Sequence, residues 1–167
     1  MPQTQSPAID EGPLTQAQRT ALSDKRMFEA AIDLINEYGT RKMTLREIGE
    51  LAGYSRGLAS YRFGSKDGLL CELFGRFDQR WKEHLGERLR GKRGLEAVRA
   101  GIHAQRDFFR REPSYMRAMY LLWYESLGKE SDIRETLVDH HAIYRKDARQ
   151  WVLEGIQDGD ISPTIDP

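Results

Sequence analysis

Two very short apolar segments in the first half of the chain constrain its fold most. Thr44 precedes the first segment, and Glu47 three residues later completes the pattern of a capping box. Gly53 ends this segment, and Ser55 is suited to cap a second one that extends to Phe63. The pattern predicts two short helices joined by a turn containing glycine, which is either a helix-turn-helix or an ordinary helical hairpin.

Apolar residues at helical spacing continue through the rest of the chain, and no stretch alternates as a strand would. We predict a helix that ends at Tyr38, a long one that begins after Ser65, one that stops at Pro113 and a last one over residues 131–157. Residues 115–127 are apolar on nearly every side, so their helix is expected to be surrounded by other helices. The predicted fold class is all-α.

The predicted organisation has three parts. Residues 1–14 are polar with several prolines and glycines, and are interpreted as a disordered arm. Residues 15–64 form the head with the two short helices, and residues 65–167 form a larger helical body. At 167 residues and 39% hydrophobic content, the chain is long and apolar enough to bury a core.

Composition and residue spacing exclude several classes of protein. No apolar run approaches the roughly 18 residues of a membrane span, and residues 1–12 match no secretory or transit signal, so we expect a cytoplasmic protein without membrane contact. Cys71 is the only cysteine, and the adjacent His140 and His141 point to different helix faces, so no metal site is expected. No paired nucleophile and base and no glycine-rich phosphate loop is found, so neither an enzyme nor a cofactor is predicted.

The charge balance is unusual for a nucleic-acid binder, because the net charge is zero. Between residues 16 and 63 there are eight basic and six acidic side chains, so the head is only mildly positive. If the head docks on DNA, the position of individual cations must matter more than the total charge.

Helical geometry divides the second short helix into two sides. At about 100° per residue, Ala59 and Phe63 fall together and are expected to pack on the preceding helices. Gly57 and Tyr61 fall almost opposite, with Leu58 beside them, and the Tyr61 hydroxyl can bind a phosphate. An exposed face of glycine, leucine and tyrosine is a poor solubilising surface, which favours a DNA-binding face over an ordinary hairpin.

The remaining residues around this face also have uses at a DNA groove. Gly57 lets the backbone approach closely, Leu58 can touch a thymine methyl, and Arg56 can reach guanine edges or a phosphate. Thr44 and Lys66 stand at helix N-termini, where backbone N–H groups and the helix dipole favour an anion.

A run from Met43 to Leu70 resembles the DNA-binding module of the tetracycline-repressor (TetR) family: MTLREIGELAGYSRGLASYRFGSKDGLL. The shared features are Thr44 opening a helix, Ile48 followed by a small residue, Ala52 and Gly53 at the turn, Ser55 as cap, Gly57, the aromatic stretch ending in Phe63, and the pair Ser65 and Lys66. The chain departs from the family pattern at Ser60, where tyrosine is usual, and at Gly49, where alanine is commoner.

The resemblance implies that the positions of Ser60 and Tyr61 contact backbone phosphates, and it completes the set of predicted contacts. The predicted DNA-binding residues are Thr44, Arg46, Ser55, Arg56, Gly57, Leu58, Ser60, Tyr61 and Lys66. Tyr61 and Ser60 lie next to each other on the predicted recognition helix.

The resemblance also implies a ligand-responsive transcriptional regulator, a repressor that binds a palindromic operator in double-stranded DNA as a homodimer and is released by a small-molecule effector. Family members usually continue beyond the point reached by residues 161–167 with two further helices that form much of the dimer interface. We therefore expect a shortened chain, a dimer formed by the last two predicted helices, or a poor dimer. The alternative is a helical ligand-binding or interaction protein that has lost operator binding.

The effector is expected to bind among large apolar side chains of the body, because ligand sites are mostly apolar with a few polar groups. The candidate lining residues are Phe109, Met116, Met119, Tyr120, Trp123, Tyr144 and Trp151. The competing interpretation is that these residues, at helical spacing, are plain core.

Overall fold

The computed structural model describes residues 14–126 and 133–167. Within these ranges the chain forms seven α-helices and no strand: α1 (Gln16–Tyr38), α2 (Leu45–Leu51), α3 (Arg56–Phe63), α4 (Lys66–Leu89), α5 (Gly94–Arg111), α6 (Pro113–Ser126) and α7 (Ile133–Gln157). The prediction of an all-α fold is confirmed. The arm predicted for residues 1–14 lies, apart from Leu14, outside the described residues. No helix in the described ranges has both the length and the apolar content to cross a membrane.

Local side-chain chemistry sets the ends of the short helices. Thr44 and Glu47 form the complete capping box at the start of α2. At its end, Gly53 has a φ of 80°, a conformation that favours glycine, and the Tyr54 N–H donates to the Gly49 carbonyl at 2.9 Å. This six-to-one hydrogen bond is that of a Schellman motif, which stops α2 and turns the chain into α3.

Helix α4 connects the head to the body. It contacts α3 in the head and both α5 and α7 in the body, while α6 packs on α1. The Asn36 amide of α1 donates to the Ser114 carbonyl of α6 at 2.9 Å. A single cluster of buried apolar residues runs from Met27 in α1 to Leu137 in α7. The packing across the predicted boundary at residue 64 is therefore continuous, and the boundary itself stays a prediction.

Helix α6 differs from the expectation that it is surrounded on every side. Met116, Met119 and Leu122 are buried, but Tyr124 is 77% exposed and Tyr120 is partly exposed. Neighbouring helices cover one side, and the tyrosines occupy the other because their hydroxyl groups can remain in water. Apolar content alone overestimated the burial of this helix.

Candidate nucleic-acid interface and ligand cavity

The two sides predicted for α3 are present in the structure. Ala59 is fully buried, and the Phe63 ring packs edge-on against Phe28 with centroids 5.4 Å apart. On the opposite side, Tyr61 is 90% exposed, and a methyl group built on Gly57 would meet no other group. This side of α3 is therefore free of packing contacts and is available as a contact surface.

Two predicted contact residues on α3 have a different setting from the one expected. Leu58 is half-buried and packs against the core, so only part of its side chain is left for a thymine methyl. Ser55 is at the N-cap position, but its side chain forms no capping hydrogen bond. Ser55 and Ser60 are both exposed, and their hydroxyl groups lie on the solvent side of the head.

The two arginines predicted to contact DNA share one carboxylate. The Glu50 Oε1 atom lies 2.6 Å from Arg56 Nε and 3.5 Å from Arg46 Nε. All three side chains are exposed, so these pairs are worth less than about 1 kcal/mol each. A phosphate can displace Glu50 at small cost, but until then the carboxylate neutralises part of the positive charge of this face.

The two predicted helix-terminal phosphate contacts are also occupied by groups of the protein. The Thr44 hydroxyl and backbone N–H both donate to Glu47 Oε2, at 2.8 and 2.9 Å. The Lys66 ammonium, at the start of α4, donates to the Thr40 carbonyl at 3.2 Å and therefore fastens the loop before α2 to α4. An ammonium has three N–H donors, so this contact leaves room for a phosphate as well.

Arg62, a residue that the sequence analysis did not select, lies directly behind the exposed side of α3. Its guanidinium binds the carboxylates of Asp24 in α1 and Glu72 in α4. The hydrogen bonds that Arg62 donates to Asp24, and then those to Glu72, raise the pKa of Arg62. The available signal was Asp24 itself, a charged residue one turn before the buried Met27 and Phe28 on the apolar stripe of α1.

Helices α4 to α7 enclose a cavity of about 520 Å³. Its walls are aliphatic and aromatic with a few polar groups, as is usual for small-molecule sites. The lining residues are Phe77, Trp81, Leu85, Val98, Gly101, Ile102, Gln105, Met116, Tyr120, Trp123, His140, His141, Tyr144, Ala148, Trp151 and Val152. All of these lie in the described ranges, and none carries a carboxylate, an ammonium or a guanidinium.

The structure brings most of the predicted lining residues together, but not all of them. Met116, Tyr120, Trp123, Tyr144 and Trp151 line the cavity. The other two, from α5 and α6, do not: Phe109 stacks on the outside of the Tyr120 ring with centroids 5.3 Å apart, and Met119 is fully buried in the core. The helical spacing of apolar residues does not show which side of α5 or α6 faces the cavity, so it could not remove Phe109 and Met119 from the predicted lining.

A polar network lies behind one end of the cavity, centred on Asp78 of α4. Its Oδ1 atom accepts from His140 Nδ1 at 2.8 Å and from the Tyr144 hydroxyl at 3.1 Å, and its Oδ2 lies 2.6 Å from Lys82 Nζ. Burial opposes the charged form of Asp78, but the hydrogen bonds from Lys82 and His140 outweigh it and lower the pKa of this carboxyl. Burial lowers the pKa of His140 and, with the nearby carboxylate, raises the pKa of Tyr144.

These pKa shifts fix the proton positions in the network near neutral pH. His140 is neutral, because its pKa lies below the ordinary 6.5. Since a carboxylate only accepts hydrogen bonds, the proton of His140 resides on Nδ1, and Nε2 is left as an acceptor. Among the described residues no group of three histidine, cysteine or carboxylate side chains could hold a metal ion.

Comparison with known proteins identifies the head. Residues 28–73 match the family model for bacterial regulatory proteins of the tetR family, a range that contains α2, the turn and α3 in full. The amino-terminal module is therefore similar to that of the tetR-family regulators. No curated protein sequence matches the chain at a significant level.

Solved structures extend the TetR-type likeness to the whole fold. The fatty acid degradation regulator FadR from Bacillus halodurans superposes with a TM-score of 0.70 at 16% identity, over 86% of this chain and 74% of that one. A transcription regulator from Pseudomonas aeruginosa PAO1 gives 0.71 at 20% identity, over 90% and 71%. A TetR family regulator from Marinobacter aquaeolei VT8 gives 0.63 at 16% identity, over 86% and 71%. The chain therefore has the TetR family transcription regulator fold.

The TetR-family match covers the helix-turn-helix but not the cavity, whose lining residues all lie beyond residue 73. Several cavity residues were visible in the sequence only as parts of apolar stripes. Phe77, Trp81 and Leu85 follow each other at four-residue spacing on α4, and this spacing is equally typical of a buried core. Only the arrangement of the four helices distinguishes a cavity wall from a core.

Proposed function

We propose that this chain is a cytoplasmic ligand-responsive transcriptional repressor that binds a palindromic operator as a homodimer through α3. The observation that carries the proposal is the two-sided packing of α3, with Ala59 and Phe63 anchored in the core while Tyr61 is almost fully exposed beside Gly57. A helix that packs on the core with one side and is exposed to solvent on the other is suited to enter a major groove. The tetR family match of the head supports the same function.

The test is selection from a randomised duplex library, followed by footprinting on the enriched duplex. We expect protection of a site with two-fold symmetry, and loss of that protection in Tyr61→Ala. Ile165→Ala is the matched control, because it removes a large exposed apolar side chain that lies outside the head, the cavity and the proposed dimer surface. If the wild-type protein enriches no symmetric site at low salt, the alternative of a ligand-binding protein without operator binding replaces the repressor.

The effector that suits the cavity is an uncharged aromatic molecule with one hydrogen-bond donor. The lining contains no charged side chain, so a charged ligand would lose its hydration without gaining an ionic partner. Asp78 is no partner for a cation, because Lys82, His140 and Tyr144 already donate to it. His140, whose Nδ1 proton is given to Asp78, offers an acceptor at Nε2, which a hydroxyl group can satisfy.

Intrinsic fluorescence provides a direct assay, because all three tryptophans, Trp81, Trp123 and Trp151, line the cavity. We expect naphthalene methanol to quench this fluorescence saturably, its methyl ether to bind more weakly, and naphthoate to bind least. Ala148→Phe should block binding because Ala148 lines the cavity. Ala142→Phe, an exposed position on the same helix that does not, should leave binding unchanged. Preferential binding of naphthoate would rule out this effector class.

Helix α4 gives the cavity a physical connection to the head. Its Glu72 binds Arg62 of the recognition helix, while Phe77, little more than one turn later, lines the cavity. A ligand that favours a different position of α4 would shift the population of heads competent for DNA by its differential affinity. We expect the bound probe to weaken operator binding, and Ala148→Phe to abolish this effect.

Exposed apolar side chains on the last two helices support a dimer formed by this part of the body. Tyr124 of α6 and Val138 and Ile143 of α7 are all largely exposed. Large apolar groups that remain at the surface of a subunit are typical of contact areas. Sedimentation velocity should give the mass of two chains, and Val138→Asp combined with Ile143→Asp should give the mass of one.

A further inference from the structure

Arg62 binds two carboxylates from two different helices at the same time. Its Nε and Nη2 atoms lie 3.0 and 2.9 Å from Oδ1 and Oδ2 of Asp24 in α1. Its Nη1 and Nη2 atoms lie 3.1 and 3.0 Å from Oε1 and Oε2 of Glu72 in α4. Both contacts are two-pronged, which fixes the plane of the guanidinium as well as its position.

Asp24 makes this arrangement hard to leave. Its side chain is only 7% exposed, and the second cation near it, Arg76, is more distant at 3.7 Å. A buried carboxylate without its partner is strongly unfavourable, so Asp24 keeps Arg62 in place. The exposed pairs of Glu50 with Arg46 and Arg56 have no comparable constraint.

Arg62 lies between an exposed and a buried residue of α3, so its ion pairs are linked to the orientation of the exposed side of this helix. Tyr61, which is exposed, immediately precedes it, and Phe63, which is buried, immediately follows it. Three consecutive residues of α3 therefore point to solvent, to the carboxylates and to the core, with about 100° between each residue and the next. A rotation of α3 about its axis that turns Tyr61 also displaces Arg62, and therefore strains its paired hydrogen bonds.

We propose that Asp24 and Arg62 are positioning residues for DNA recognition, which set the rotation of α3 about its axis and thereby the direction of Tyr61. The proposal rests on the proposed operator binding. Capping and the burial of Ala59 and Phe63 hold α3 on the head, but apolar packing permits small rotations that a planar, two-pronged ion pair does not. Lysine cannot replace arginine here, because a single ammonium has no planar fork to match two carboxylates.

The experiment compares Arg62→Lys and Asp24→Asn with the wild type and with Glu29→Gln. Glu29 is the matched control because it is an exposed carboxylate of the same helix, α1, and forms its ion pair with Lys25 rather than with Arg62. For each protein, Kd is measured for the duplex that the wild type selects and for poly(dI-dC), well below the melting temperature. The ratio of the two affinities reports specificity, and the melting temperature is recorded separately.

We expect the ratio to fall about tenfold in Arg62→Lys and Asp24→Asn, as for the loss of a hydrogen bond to a charged group, and to stay constant in Glu29→Gln. Affinity for poly(dI-dC) should change little, because the charge of the exposed face is unaltered. A purely structural role would lower the melting temperature and leave the ratio unchanged, since the molecules that remain folded would present the same face. That result would overturn the proposal.

Amide hydrogen exchange of α3 separates this inference from the proposed function. If the wild type selects no duplex, operator binding fails, and the exchange rates of residues 56–63 decide the positioning role on their own. Exchange of residues 56–63 that becomes faster relative to that of α5 in Arg62→Lys, but not in Glu29→Gln, supports the positioning role, because a general loss of stability would speed both helices. Equal exchange in the two variants overturns it, whether or not the protein binds DNA.

Discussion

The proposed DNA-binding face, formed by Arg46, Arg56, Gly57 and Tyr61 with Glu50, and the cavity use charge in opposite ways. On the face, Arg46, Arg56 and Glu50 are exposed and pair with one another, so the surface can exchange one ionic partner for another at little cost. The cavity wall has no charged side chain, and the nearest carboxylate, Asp78, is held by three donors behind it. The face is thus suited to a charged polymer whose binding depends on salt, and the cavity to a neutral molecule whose binding does not.

The two regions also differ in how far their residues contribute to stability. Tyr61 and Gly57 lie outside the core, and changing them removes little packing. Phe77 and Met116 line the cavity but are also buried in the core, where Phe77 is in contact with Phe108, Tyr115 and Trp123. Substitutions in the head should therefore change binding without changing stability. Substitutions in the cavity wall should change both at once.

The largest expected effect is a loss of stability in Phe77→Ala. Removing a buried aromatic ring leaves a void in addition to the lost burial, so the free energy of unfolding should fall by about 3–5 kcal/mol. Ile102→Ala is the control within the same cavity, because Ile102 is 62% exposed, and it should cost less than about 1 kcal/mol. Urea denaturation measures both. A loss in Phe77→Ala as small as the one in Ile102→Ala would show that the cavity wall is separate from the core.

The same difference explains what the sequence could predict. The DNA-binding face depends on local rules: the Thr44 capping box, the turn at Gly53, and the angle between Tyr61 and Phe63 on one short helix. Each rule involves residues within about ten positions of one another, so the head could be predicted from the chain alone. The all-α class followed from the same periodicity in the longer helices.

The remaining features depend on contacts between distant residues. Asp24 and Arg62 are 38 positions apart, and Asp78 and His140 are 62 apart. Nothing in the local pattern selects these partners. Phe109 and Met119 show the same limitation, because they have the residue types of a ligand site but the structure places them beside the cavity and inside the core. Residue types indicated an apolar ligand site in the body, but which residues line it depends on how the helices pack.

A smaller effect is expected from Glu50→Gln on the DNA-binding face. The change releases Arg46 and Arg56 and removes one negative charge that would face the phosphates. Operator affinity should rise by about three- to fivefold at low salt, within the value of an exposed ion pair, and the dependence on salt should become steeper. Glu87→Gln changes the net charge equally at an exposed position of α4 away from the face, and should have no such effect. Equal gains in the two variants would attribute the increase to net charge alone.

The smallest effect is the pH dependence of stability that originates at His140. Burial lowers the pKa of His140 in the folded protein below its ordinary 6.5, so the unfolded chain binds more protons as the pH falls through this range. Stability should therefore decrease on acidification from about pH 6.5 downward. The lowered pKa of Asp78 acts in the same direction, but only below its ordinary 3.8. Between about pH 7 and 5 the slope is thus expected to report His140 rather than Asp78.

Melting temperatures of His140→Gln across this range test the assignment. The slope should be shallower than in the wild type, because glutamine does not titrate and a buried neutral side chain takes the place of one that resists protonation. His103→Gln is the matched control at an exposed position of α5, and should retain the wild-type slope. A slope that flattens in His103→Gln instead would place the titration on the surface. In that case the slope would not report His140, and the assignment would be wrong.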